Sequence, residues 1–335
     1  MGAEAKAPIP KSELVVDSPA AARLKLRLGE AAARLGFDRW GCADPGSLPS
    51  LEPLQAWLAR GEHAGMGYMA RHADLRGDPH RFFPGVRTIF CVALNYSPAG
   101  MGGRDREPGA PLRVARYAWG ADYHDILRGK LHRLLQQVKR WVSGARGRVA
   151  VDTAPVLERH WAAQAGIGWI GRNTCLIVPR LGSYVFLGEL LLDIPLPPDQ
   201  PLPRRCGTCR QCLVACPSGA LAEPYRLDAR RCIAYWTVEH RGAFPASGAP
   251  RISPWLFGCD RCQEACPWNR FAVATREPAF HAPVGRQITE PGVIATLDTD
   301  TFGERFGGTP LTRAGFEGLE RNWARICGEN AAGSS

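Results

Sequence analysis

The stretch Cys206 to Pro217, CGTCRQCLVACP, puts four cysteines in C-x2-C-x2-C-x3-C-P spacing. In that arrangement the first three thiolates hold one iron–sulfur cluster and the fourth reaches across to another. A second run is therefore required. It stands at Cys259, Cys262 and Cys266-Pro267, one cysteine short, with Cys232 upstream to supply the missing ligand. The count closes with Cys206, Cys209, Cys212 and Cys266 on one [4Fe–4S] cluster and Cys216, Cys232, Cys259 and Cys262 on the other. Four soft thiolates per site suit such clusters better than hard cations. Paired zinc sites are the alternative, but they have no use for this rhythm.

The chain has 12 cysteines in 335 residues. The remaining four, Cys42, Cys91, Cys175 and Cys327, are scattered and read as small buried core residues. No run of about 18 apolar residues appears, and MGAEAKAPIPKSELVV has no apolar core of a secretion signal, so a cytoplasmic protein is expected. The formal charge of +10, from 42 Lys+Arg against 32 Asp+Glu, favours polyanionic partners, because arginine on phosphate releases counterions. An arginine bias without any partner is the bland reading of the same numbers.

Residues 20–36 repeat apolar positions at helical spacing and stop at Gly36. FDRWGCADP reads as a short strand, 51–72 as a helix, a glycine-rich break and a second helical turn, and 86–97 as a strand buried on both faces. A Gly/Pro loop at 98–111 is expected to be mobile. An amphipathic helix over 122–143, the strand of RVAVDTAP, a helix in VLERHWAAQAG and two strands after Gly166 follow. The fold class is α+β. A disordered lead-in (1–17) precedes a mixed α/β body (18–200), a bacterial-ferredoxin-like module (201–275) and a helical tail packed on the body (276–335).

Two motifs mislead. Gly166-Ile-Gly168-Trp-Ile-Gly171 satisfies G-x-G-x-x-G, but a dinucleotide site needs a strand before and a helix after. Here a helix precedes and strands follow. Asp122-Tyr-His124 begins like D-x-H-x-x-G, a cobalt-ligating motif, but Leu127 stands where the glycine belongs, so no lower-ligand histidine is inferred.

RYAWGADYH (116–124), VDTAPVLER (151–159), AGIGWIGRNT (165–174), the cysteine runs, RRCIAYWTVEHRG (230–242) and the GLERN tail together resemble epoxyqueuosine reductase, from about residue 20 to 328. The resemblance implies cobalamin between the body and the 2[4Fe–4S] module, and a tRNA with a GUN anticodon bearing epoxyqueuosine at the wobble position. It implies a two-electron deoxygenation through cob(I)alamin fed by the clusters. Asp152 matches the proton donor, and its setting should raise its pKa. Capping of the following helix is the structural alternative for that residue. Arg116, Tyr117 and His124 fall in the corrin and substrate loop, and Asn173 and Asp260 are expected to touch cobalamin. The electron donor is expected to be of flavodoxin or ferredoxin type, and the protein a monomer.

Some relatives continue past the GLERN-type segment into a helical-repeat extension, which this protein is expected to lack, and Ala234 stands where they often carry serine. A cobalamin-dependent reductive dehalogenase and a pure 2[4Fe–4S] electron-transfer protein are the competing readings.

Overall fold

The computed structural model describes residues 8–46, 48, 51–98, 112–290 and 292–332. The loop expected at 98–111 lies, apart from Pro98, outside them.

Helix α1 (Pro19–Arg34) starts where Ser18 accepts the Ala21 N–H at 3.1 Å and Pro19 occupies the first turn, a position that needs no N–H donor. Its Ala21, Leu24, Leu28 and Ala31 are buried on one face. Strands β1 (Arg39–Ala43) and β2 (Thr88–Asn95), helix α2 (Tyr123–Trp141), strand β3 (Gly147–Ala150), helix α3 (Glu158–Gln164) and strand β4 (Val185–Leu192) complete the body. The four strands form one antiparallel sheet in the order β1-β2-β4-β3.

Every residue of β2 is buried because both faces are covered. Phe90, Val92 and Leu94 meet α1 and the Leu127, Leu131 and Leu134 stripe of α2. Ile89, Cys91 and Ala93 meet Trp161 and Ala162 of α3. Alternation along a strand assigns these sets to opposite faces. Glu189 of β4 therefore points into the α3 side, beside Cys91 and Ala150 of the neighbouring strands.

The lead-in departs from expectation in its second half. Ile9–Pro10 pairs with Val142–Ser143, Lys11 Nζ lies 2.6 Å from Asp193, and Leu14 is buried in the core. Anchoring by a strand and an ion pair overrides the weak local pattern. The tail packs on two cores. Its start lies on the body, with Phe280 in the body core and Glu277 paired with Lys130, whereas Phe302, Phe306, Leu311, Leu319 and Ile326 close a second core with Ile233, Trp236, Trp255 and Phe257 of the cysteine module and Val114 and Ala118 of the body. A module this poor in regular structure has few apolar side chains of its own, and the tail supplies the missing half of its core.

The false fingerprint has a packing reason. Gly166 follows α3 at φ +70°, and a Cβ on Gly168 would stand 2.3 Å from the Ile177 carbonyl oxygen. The glycines let Trp169–Ile170 pair closely with Leu176–Ile177, and no helix follows them.

Helix α4 (Gly315–Ala332) carries the buried Asn322, whose Nδ2 donates to the Thr237 and Leu256 carbonyls, both at 2.9 Å. Asn322→Leu removes the donor to two buried carbonyls, so denaturant unfolding should show a loss of about 2–6 kcal/mol at roughly 1–3 per orphaned group. An unchanged midpoint would mean that the tail does not brace the module.

Candidate active site and cluster ligands

The two cysteine runs fold alike, each as a loop into a single helical turn, Gln211–Val214 and Arg261–Glu264. This brings Cys206, Cys209, Cys212 and Cys266 around one recess, which Arg172, Asn173, Ile177, Pro267 and Trp268 also line. Cys216, Cys232, Cys259 and Cys262 form the second group: each of Cys232, Cys259 and Cys262 lies within electrostatic reach of others in the set. Cys266 therefore crosses to the first run and Cys216 to the second, the pattern expected from spacing. Among the described residues no three His, Cys, Asp or Glu groups converge on a single ion.

Of the four remaining cysteines, Cys42 and Cys91 are core residues, and burial pushes the Cys42 thiol up to about 12. The other two correct the expectation. Cys327 is exposed, and Cys175 lies against the Cys262 thiol, at the second cluster group. Its position after the 166–174 turn, distant in sequence from the runs, hid that contact.

Asp152 ends the β3 segment at φ +45°, a left-handed backbone that costs energy outside glycine and collects at functional sites. Its N–H donates to Glu158, and its Oδ2 lies 3.1 Å from His124 Nε2. It does not cap α3, whose N-cap is Leu157 with no side-chain bond. His124 is gripped from the other side by Asp122, 2.7 Å from Nδ1. Asp122 also caps α2 through the His124 N–H at 2.9 Å. The imidazole is thus fixed by the helix start itself.

The charges reverse the expectation for Asp152. Burial works to raise its pKa, but the hydrogen bond and charge of His124, then Tyr123 and Arg313, outweigh it and hold Asp152 below the ordinary carboxylate value. Burial likewise works to lower His124, yet its bonds to Asp122 and Asp152 hold it at about 9. At neutral pH the proton sits on the imidazole, donated to Asp152. Beside them Glu158 is held well above its ordinary value, by burial first and the Asp152 charge second.

The other expected contacts fall in two places. Tyr117 is half-buried, with Asp152, Glu239 and Asp260 among its charged neighbours, and packs on Phe257 and Tyr123. It stands between the carboxylate–imidazole pair and the second cluster loop. Arg116 and Asp260 are both buried and bind each other: the Arg116 N–H donates to Asp260 Oδ2 at 2.8 Å, and Nη1 lies 3.3 Å from it. Asn173 is buried among cluster ligands, its Oδ1 accepting the Cys175 N–H at 3.3 Å. Sequence reasoning missed Asp122, Glu158 and Arg313. The first was legible in the DYH motif, read there only for cobalt. Arg313 comes from the tail, which no local pattern places here.

The sequence matches the family model for a 4Fe-4S double cluster binding domain at residues 205–269 and that for Epoxyqueuosine reductase QueG, DUF1730 at residues 76–153. It is 42% identical over 322 residues to the epoxyqueuosine reductase of Xanthomonas campestris pv. campestris, spanning 94% of this chain and 88% of that one. The chain belongs to the epoxyqueuosine reductase family. It is therefore an oxidoreductase, and its module, with all eight paired-run cysteines inside the double-cluster match, binds two [4Fe–4S] clusters. The Cyclobacterium marinum epoxyqueuosine reductase is 38% identical, over 88% of this chain and 93% of that one.

Among solved structures, an epoxyqueuosine reductase bound to an epoxyqueuosine-modified tRNA-Tyr stem loop superposes with TM-score 0.78 and 32% identity, covering 91% and 80% of the two chains. The Bacillus subtilis epoxyqueuosine reductase with its aspartate catalytic loop swung out of the active site gives 0.77 and 30%, covering 91% and 81%. No helix among the described residues is long and apolar enough to cross a membrane.

Histidine NMR should show one imidazole titrating near 9. Asp122→Asn keeps a capping side chain but removes a charge, so that value should fall towards about 6.5. A wild-type imidazole already titrating at the ordinary value would contradict the charge assignment.

Proposed function

We propose that this enzyme reduces epoxyqueuosine to queuosine at the wobble position of a GUN-anticodon tRNA, with Asp152 as the group that passes the proton. The observation that carries the reading is the His124–Asp152 pair, held at a left-handed turn and separated from the second cluster loop by Tyr117. A proton source and an electron source thus lie on two sides of one face.

Cobalamin would be held at that face by Tyr117, His124 and Asp152, with Asn173 reaching it from the cluster side and the Arg116–Asp260 pair fixing the loop behind. When bound it supplies low-potential two-electron chemistry at cobalt, and a cofactor of this kind leaves the protein to position and protonate. The eight cysteines hold the clusters that relay electrons from a donor of flavodoxin or ferredoxin type. His124 carries a proton to Asp152, and Asp152 gives it to the epoxide oxygen as the ring opens. Its strained turn suits a loop that moves, as the corresponding loop does in the Bacillus subtilis enzyme. Glu158 holds the Asp152 backbone when the loop is in.

The excess of arginine supplies phosphate contacts along the tRNA backbone. Base identity is read from a splayed anticodon loop, as is usual for single-stranded RNA. The chain acts as a monomer in the cytoplasm.

Anaerobic protein with both clusters, cobalamin and a chemical reductant should remove one oxygen from the modified base of epoxyqueuosine tRNA in a single turnover, read by mass spectrometry of the digested nucleosides. Asp152→Asn should slow this by on the order of 10²–10⁴-fold without changing cluster content. Full-rate conversion by the variant would remove Asp152 from the reaction, and no conversion by the loaded wild type would remove the tRNA assignment.

A further inference from the structure

The reaction above needs more protons than the His124–Asp152 pair can supply at once. Turning an epoxide into an alkene and water breaks both C–O bonds, forms the C=C bond and consumes two electrons and two protons. One proton opens the ring. The second is needed to release the oxygen as water.

Beneath Asp152 lies a group that nothing so far has used. Glu189 is fully buried in the middle of β4, and neither of its carboxyl oxygens has a hydrogen-bond partner. It faces the α3 side of the sheet with Ala150 directly across from it on β3, two residues before Asp152. Glu158, in the first turn of α3, accepts the Asp152 N–H and lies within electrostatic reach of both Glu189 and Cys91. A lone buried carboxylate costs several kcal/mol without a counter-charge, so Glu189 is a neutral acid.

The surrounding groups offer it no cation. Cys91 faces it from β2 as a thiol, and Arg148 of β3 is turned onto the Phe82 ring and carbonyl. Arg159 of α3 spends its guanidinium on the Thr174 carbonyl at 2.6 Å, and His160 stands edge-on to Trp161. On the Asp152 side, Glu158 has His124, Tyr123, Arg159 and the buried Arg76 as charged or titratable neighbours. An apolar core wall of Val156, Trp161, Leu176 and Val178 closes the rest.

We propose that Glu158 and Glu189 form a carboxyl pair that stores the second proton and passes it through Glu158 to Asp152. After Asp152 has given its first proton to the oxygen, the proton on Glu158 moves to Asp152 and from there to the leaving oxygen, completing water. Glu158, left as a carboxylate, draws the unpartnered Glu189 carboxyl into a hydrogen bond and takes its proton, and the half-buried Glu158 then reloads Glu189 from solvent. Each transfer moves one proton between two oxygens, and the electrons come from the clusters. Burial keeps Glu189 protonated across the neutral range, and burial first, then the Asp152 charge, raises Glu158; once Glu158 has given up its proton, its charge also opposes ionisation of Glu189. Both are positioning residues acting through Asp152. The delivery step rests on the function proposed above, whereas the protonation of the pair does not.

The test uses the full chain with both clusters and has two readouts. Infrared spectra without tRNA should show a protonated-carboxyl band at neutral pH that is lost in Glu189→Gln. Single turnovers followed against pH should then show Glu189→Gln and Glu158→Gln slowed roughly tenfold to a hundredfold. The loss should be largest on the alkaline side, with tRNA affinity unchanged, and Glu158→Asp should restore the rate. Two different variants guard against one that fails to fold. Absence of the band from wild type, or a wild-type pH profile in both Gln variants, would overturn the proposal. A wild type that shows the band but converts no tRNA sinks the functional reading and the delivery step together, while the stored proton stands.

Discussion

The arrangement of this molecule depends on one buried ion pair, Arg116 with Asp260. Arg116 begins a short turn of the body, and Asp260 sits between Cys259 and Cys262. The pair is reinforced by Glu264 at 3.2 Å and the Tyr184 hydroxyl at 3.0 Å, with the Ala115 N–H bonded to the Phe257 carbonyl at 2.8 Å beside it. Removing one partner from such a pair strands the other charge at a cost of about 3–5 kcal/mol, a large part of a domain's usual 5–15. The residue next to Arg116 is Tyr117. The contact that fixes the cluster loop therefore also fixes the aromatic ring between that loop and Asp152.

Electron and proton supply are built from different physics. The cysteine module is loop and single helical turns, so its thiols are placed by spacing, by the tail's apolar side chains and by the ion pair. The proton side rests on regular structure. Asp122 starts a long helix, Asp152 leaves a strand, and Glu158 starts a helix on the opposite face of the sheet. Short distances and low local dielectric make the charges of these groups strongly interdependent, which is why Asp152 is lowered while His124 and Glu158 are raised.

Much of this was legible in the sequence. The crossed ligand sets follow from counting, because a run that lends its fourth cysteine away must borrow one back. The central strand was legible because Thr88–Asn95 is continuously apolar apart from its ends, and α1 because its caps and period agree. The part of the tail that closes the second core was not, since its amphipathic face would suit either core. The charge of Asp152 was not either. Burial alone argued for a raised pKa, and the opposing effect comes from His124, 28 residues earlier and oriented by a cap. Cys175 was illegible for the same reason: its significance lies in Cys262, far along the chain.

The most direct test of the account is to count iron, sulfide and cobalt on the chain reconstituted anaerobically with excess cobalamin, and to record electron paramagnetic resonance during stepwise reduction. The account predicts two four-iron clusters and one corrinoid per chain, with the cobalt signal changing as the clusters are reduced. Protein that holds both clusters and binds no corrinoid would contradict it.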